Sequence, residues 1–168
     1  MYKFILSFFL ILFSLSAFSQ KTAADFIKEG QKSDSLKNYK EALKAYDNAI
    51  KLDSMNVDAY YYRGFVKGEM ADHKSAIEDY NKAIKLGPEF IESYYARGNT
   101  RFELHDFSGA IEDYNQAIEL NPNDVESYYN RGIAKYNLGK NEEACDDLVK
   151  AYELGDPQAE SVLNELCK

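Results

Sequence analysis

The 168-residue sequence predicts an all-α protein: four consecutive helix-turn-helix units closed by a short C-terminal capping helix. Three observations predict it. The chain repeats itself at a fixed period of 34 residues, over 23–56, 57–90, 91–124 and 125–158, and such a period marks stacked supersecondary units. Small residues hold constant places in those units: Gly30, Gly64, Gly98 and Gly132; Ala42, Ala76, Ala110 and Ala144; Ala49, Ala83, Ala117 and Ala151. No alternating apolar and polar run that would read as a strand follows the first 20 residues.

The opening segment, MYKFILSFFLILFSLSAFSQ, stands apart from the repeats. Lys3 precedes an apolar run, and Ala17 and Ser19 suit the −3 and −1 places of a processing site. Residues 1–19 therefore read as a signal peptide, cut between Ser19 and Gln20, with the folded domain over 20–168. The apolar stretch is short for a bilayer span; an uncleaved anchor or a buried helix are the alternatives. The expectation is an exported protein, periplasmic or extracellular, with no stable membrane span once the leader is removed.

Within the third unit, Tyr94, Gly98, Arg101 and Leu104 recur at helical spacing, and Ala110, Tyr114, Ala117 and Leu120 mark a second stripe. His105-Asp106 is the turn between them. Asn121-Pro122 ends the second helix, because proline restricts the residue before it and cannot extend the hydrogen-bond ladder. Gly87-Pro88 and Asp53-Ser54 hold the same place in earlier units. A glycine inside a helix costs about 1 kcal/mol relative to alanine, so four at one register imply a crossing with no room for a side chain. Large residues fill the gaps: Phe26, Tyr60, Tyr94 and Tyr128, and Tyr46, Tyr80, Tyr114 and Leu148. The last segment, 157–167, opens on Pro157 and carries a stripe of Ala159, Val162, Leu163 and Leu166, as expected of a helix covering the open end of the array.

Composition narrows the function. Asp plus Glu number 28 against 20 Lys plus Arg, for a net charge of −8. That balance disfavours nucleic acid or an anionic membrane as partner through net charge. The 2 Cys and 2 His supply no paired metal motif. No phosphate loop, nucleophile elbow or HExxH pattern occurs, so no enzyme, cofactor or metal is expected. His73 and His105 fall near turns, out of phase with the repeat, and read as solvated turn residues.

With Tyr94, Gly98, Ala110, Tyr114, Ala117 and Pro122 at their places, the units resemble the tetratricopeptide repeat, and the likeness extends over all four. It implies a right-handed superhelix with the first helix of each unit on the concave side. It also implies groove positions at Ile27, Gln31 and Asp34; Tyr61, Phe65 and Gly68; Tyr95, Asn99 and Phe102; and Tyr129, Ile133 and Tyr136. Tyr61, Tyr95 and Tyr129 would form a platform for a peptide or protein partner, since tyrosine joins broad apolar contact to a polar tip. Asn99 and Asn130 would hydrogen-bond an extended backbone. Some members grip a C-terminal carboxylate with Lys, Asn, Asn, Lys and Arg. Ile27, Gln31, Tyr62, Glu92 and Ala96 stand there instead, which disfavours that ligand. Asp58, Glu92 and Glu126 near the groove edge favour a basic or neutral one.

Two departures from the family pattern matter. Its leucine before the glycine is Arg63, Arg97 and Arg131 here, and the same units carry Asp79, Asp113 and Asp147. The first unit has Glu29 and Ala45, so the two types come and go together. Across an antiparallel helix pair each arginine reaches its aspartate, giving partly buried ion pairs; both staying solvated is the alternative. The tail resembles that of small exported repeat proteins of Bacteroidetes-type bacteria, which implies a disulfide between Cys145 and Cys167 pinning the capping helix; two free thiols are the alternative. The function expected is a non-catalytic scaffold or adaptor of the cell envelope. Self-assembly through the array ends and an accessory subunit of an enzyme are the other readings; self-assembly is not favoured, because Ser33 and Asp34 make the first unit look like a polar cap.

Overall fold

The computed structural model describes residues 21–167. The leader expected over 1–19 lies outside them. Among the described residues there are nine helices and no strand: α1 (Ala23–Ser35), α2 (Tyr39–Leu52), α3 (Val57–Glu69), α4 (His73–Leu86), α5 (Ile91–Glu103), α6 (Phe107–Leu120), α7 (Val125–Asn137), α8 (Asn141–Glu153) and α9 (Pro157–Leu166). Each odd helix packs most closely on the even helix that follows it, and each even helix leans on the next odd one. The odd helices α1, α3, α5 and α7 also touch one another in sequence. The even helices approach each other less, so the stack curves with the odd helices on its inner side.

Local chemistry sets the element ends. Thr22 and Asp25 form a reciprocal capping box at the start of α1. Asn56, Asp72, Asp106 and Asp156 accept hydrogen bonds from first-turn amides of α3, α4, α6 and α9. The turn inside every unit passes through one left-handed residue, at Lys37, Ala71, His105 and Gly139. Only the fourth unit uses the residue type that adopts this conformation without a side-chain penalty. Between units the chain leaves the helix through non-helical residues at Asp53, Gly87 and Asn121. After α8 it turns instead through Gly155 at φ 103°, and α9 follows.

The core is a column of alanines and tyrosines. Ala42, Ala76, Ala110, Ala49, Ala83, Ala117 and Ala151 are wholly buried, with Tyr46, Tyr80, Tyr114 and Leu148 between them. Gly30, Gly64, Gly98 and Gly132, one in each of α1, α3, α5 and α7, face the large residue 16 positions on. A β-carbon on Gly98 would stand 2.8 Å from Tyr114 Cε1, one on Gly64 2.9 Å from Tyr80 Cε1, and one on Gly132 3.0 Å from Leu148 Cγ. The expected reason for glycine at the crossing is thus visible atom by atom: a large side chain of the second helix, a tyrosine ring or Leu148, occupies the volume of the missing methyl.

Cys145 in α8 and Cys167, the residue that caps α9, are bonded, with their Cα atoms 5.8 Å apart. The link ties the last helix to the fourth unit.

Candidate functional site

The ion-pair residues come together as a ladder on the helix-pair interfaces. Arg63 Nη2 lies 2.6 Å from Asp79 Oδ1, Arg97 Nη2 2.5 Å from Asp113 Oδ1 and Arg131 Nη2 2.5 Å from Asp147 Oδ1. The aspartates are nearly inaccessible; Asp113 keeps 1% of its surface. A buried carboxylate is costly unless fully partnered, and each of these has a second cation. Lys67 reaches Asp79 at 2.6 Å, Arg101 reaches Asp113 at 2.9 Å and Lys135 reaches Asp147 at 2.8 Å. The arginines also reach backwards. Arg63 Nη1 donates to Asp47, Arg97 Nη1 to Asn81 and Arg131 Nη1 to Asn115, all on the even helix of the preceding unit. Their guanidinium carbons lie over Tyr60, Tyr94 and Tyr128 at 5.3 to 5.9 Å. Hydrogen bonding to Asp79 holds the Arg63 guanidinium protonated well above its usual range.

Sequence reasoning missed the second cation and the backward bond. A signal for both was present. Positions 67, 101 and 135 are Lys, Arg and Lys, and positions 47, 81 and 115 are Asp, Asn and Asn. The next place in that second series is Val149, in the last unit, which no further arginine follows.

The expected groove residues do not form one continuous row. Tyr95 and Tyr129 line a single cleft of about 450 Å³, with Val125, Glu126 and Asn130 of α7 and the connection 154–158 that leads from α8 into α9. Phe65, 40% exposed, and Asn99 belong to a second, smaller cleft between α3 and α5, with Glu69 and Glu103 at its sides. Tyr61 is a wall residue, packed edge-on against Phe90 at 5.2 Å and close to Tyr62 and Tyr80. Burial, with the charge of Glu92 behind it, pushes the Tyr61 hydroxyl above the ordinary phenol range. Phe102 packs edge-on against Phe107. Ile133 is half-buried, and Tyr136 is 40% exposed.

The two asparagines are also engaged. Asn130 Nδ2 donates to the Tyr95 hydroxyl at 3.0 Å and to Asn99 Oδ1 at 3.2 Å, and the Tyr114 hydroxyl donates to the same Asn99 oxygen at 2.7 Å. Asn99 Oδ1 thus accepts from two neighbours and is not the free backbone acceptor that the sequence suggested. The network fixes the Tyr95 ring against the body of the array, so the cleft wall is preorganised. Pre-fixed side chains lower the entropy cost of binding.

The histidines stay apart: His73 Nδ1 lies 3.3 Å from Glu103, and His105 sits in the α5–α6 turn against Phe107. Among the described residues no group of three or more His, Cys, Asp or Glu side chains is placed to hold a metal ion. No helix among them is long and apolar enough to cross a membrane.

A stack of antiparallel helix pairs on a 34-residue period, with glycine against tyrosine at three crossings and against Leu148 at the fourth, defines an α-solenoid of repeat units. Family models named "TPR repeat" match residues 35–70, 72–105 and 98–139, and one named "Tetratricopeptide repeat" matches 125–154. The chain belongs to the tetratricopeptide-repeat family. Solved structures agree on the fold. A crystal structure of MamA superposes with a TM-score of 0.76 at 24% identity, over 82% of this chain and 81% of that one. YrrB, described as a TPR protein with an unusual peptide-binding site, gives 0.71 at 29% identity, over 79% and 69%. The first TPR of Spaghetti (RPAP3), bound to the HSP90 peptide SRMEEVD, gives 0.69 at 25% identity, over 70% and 94%. No curated protein matches the chain.

Proposed function

We propose that this protein is a non-catalytic interaction module that holds a peptide or protein segment on the inner face formed by α3, α5 and α7. The observation that carries this is the cleft between Tyr95 and Tyr129, an aromatic-walled hollow in which the Tyr95 hydroxyl is held by Asn130, itself bonded to Asn99. Two of the similar structures, YrrB and the Spaghetti repeat, are described by their peptide site or bound peptide, which supports the same use of the same fold. The ligand differs from the acidic-ended peptide of the latter, because Glu92 and Ala96 stand where a cationic grip would have to be.

The finer reading is an adaptor exported to the periplasm or the cell exterior. It is supported by the leader pattern over 1–19 and by the Cys145–Cys167 bond, which suits an oxidising compartment. The test is affinity capture from an envelope fraction with the wild-type chain and with Tyr95→Ala/Tyr129→Ala. The expected result is a partner retained by the first and lost by the second, with both proteins equally helical by circular dichroism. A partner held equally by both moves the site off this face. N-terminal sequencing of the protein from the envelope fraction should begin at Gln20; a chain there that still carries residues 1–19 overturns the cleaved leader, and a chain found only in the cytoplasm overturns the export reading.

A further inference from the structure

The cleft beside Tyr95 continues into a second one. A hollow of about 380 Å³ lies on its other side, walled by Ile91, Glu92, Asp124 and Glu126, and the two share Tyr95 and Glu126. Together they make a trough across the starts of α5 and α7 to the start of α9. Its carboxylates are Glu92, Asp124, Glu126 and Asp156, and no lysine or arginine lines either part.

The absence of cations there has a structural cause. The basic residues of the helices that line the inner face are drawn to the opposite side: Arg97 and Arg101 are bound to Asp113, Arg131 and Lys135 to Asp147. Asp124 accepts from Ser127 and Asp156 caps α9, but among the described residues no cation pairs with any of the trough's acids. Burial pushes the Asp124 carboxyl up in spite of its bond from Ser127, and the charges of Glu126 and Glu92 push the same way. A cation placed in the trough would relieve this mutual repulsion. The acids are also too dispersed to hold one metal ion, since no group of three metal-binding side chains converges among the described residues. Spread charge along an aromatic wall fits an elongated ligand with its own spread positive charge.

We infer that the trough takes a cationic peptide segment, with lysine or arginine side chains directed to Glu92, Glu126 and Asp156 and their alkyl stems laid along Tyr95 and Tyr129. This rests on the inner-face reading proposed above and specifies its ligand and its place. It lies at the C-terminal end of the array, where the α8–α9 connection supplies one wall. Arginine and lysine pair an apolar stem with a charged head, which matches a site with tyrosine floors and carboxylate rims.

A random peptide library displayed on phage, selected on the full chain, tests this. Recovered peptides are then measured against three variants. Glu126→Gln/Asp156→Asn removes trough charge, with asparagine keeping the helix-capping oxygen of Asp156. Glu78→Gln/Glu119→Gln removes equal charge from exposed places on the outer helices. Tyr95→Ala/Tyr129→Ala removes the wall. The expected result is a set of peptides enriched in lysine and arginine whose binding falls about tenfold or more in the trough variant and little in the outer-face variant. Enriched peptides without basic residues that still need Tyr95 and Tyr129 overturn the cationic inference and leave the inner-face reading standing. Equal losses in the trough and outer-face variants mean diffuse attraction to an acidic protein and also overturn it. Peptides indifferent to every variant, or no enriched peptide at all, bring down both.

Discussion

At the scale of single residues, the glycines show how one missing methyl sets the distance between two helices. Gly98 and Gly68 make the comparison. A β-carbon at Gly98 meets the buried Tyr114 ring at 2.8 Å and Asp113 Cβ at 3.2 Å, whereas at Gly68 the nearest atom is Tyr80 Oη at 3.9 Å. Alanine gains up to about 1 kcal/mol of helix propensity at either place. At Gly98 overpacking costs about 1–3 kcal/mol, so the clash outweighs the gain. Gly98→Ala should therefore lower the urea midpoint and Gly68→Ala should hold or raise it. Equal effects at both sites would show that the crossing relaxes freely. The glycine series and the series of Tyr46, Tyr80, Tyr114 and Leu148 were each legible from the repeat, because both keep the same spacing; that one faces the other came from the packing. The role of Asn99 was not legible, because its neighbours Tyr114 and Asn130 come from two other helices and only the stacking register joins them.

At the scale of the element, the arginine ladder joins helices within units and between them. Arg97 is replaceable at Asp113 in a way that the pair alone would not suggest, since Arg101 keeps a contact of 2.9 Å to the same carboxylate. Arg97→Leu should cost less than about 3 kcal/mol, whereas Arg97→Leu/Arg101→Leu strands a buried carboxylate and should cost more than the sum of the two single changes. Additive losses in chemical denaturation would mean that Asp113 finds water or another donor. The terminal helix poses a different problem. α9 packs principally on α8, so little apolar contact holds it, and the Cys145–Cys167 bond closes a loop of 22 residues. In the chain-entropy model such a link contributes about 3 kcal/mol. Cys145→Ser/Cys167→Ser should lower the melting temperature, and amides of 157–166 should exchange with solvent before those of α3 to α7. Thiol titration of the unreduced wild-type protein should find no free thiol; two titratable thiols would remove the bond from this account.

For the whole molecule, the buried tyrosines tie stability to alkaline pH. Burial pushes the hydroxyls of Tyr46, Tyr80 and Tyr114 above the ordinary phenol range. The folded chain thus holds these protons more tightly than the unfolded one. Their contribution to stability is whole below about pH 10, the unperturbed phenol value, and is lost as pH rises beyond it. Tyrosinate absorbance from these residues should appear together with loss of helical circular dichroism in one transition. Gradual ionisation with the helices intact would mean that the core opens to hydroxide without unfolding. The array itself follows one-dimensional logic, each unit gaining stability from its neighbours, which makes its ends the places where sequence and partner matter most.

The amino-acid sequence alone determined the repeat, the helix pairs, the glycine and large-residue series and the partner of each arginine within its own unit. All of these depend on contacts that recur at one separation, and a periodic chain writes such contacts in its spacing. The backward bonds to Asp47, Asn81 and Asn115, the second cation on each buried aspartate and the joining of Glu92 and Glu126 with Asp124 and Asp156 beside α9 came into view only with the packed chain. Their residues meet through the rotation between one unit and the next and through the position of the final helix, and neither is a distance along the sequence. Periodicity says which surfaces exist in every unit; stacking says which of them face each other and which stay open to a ligand.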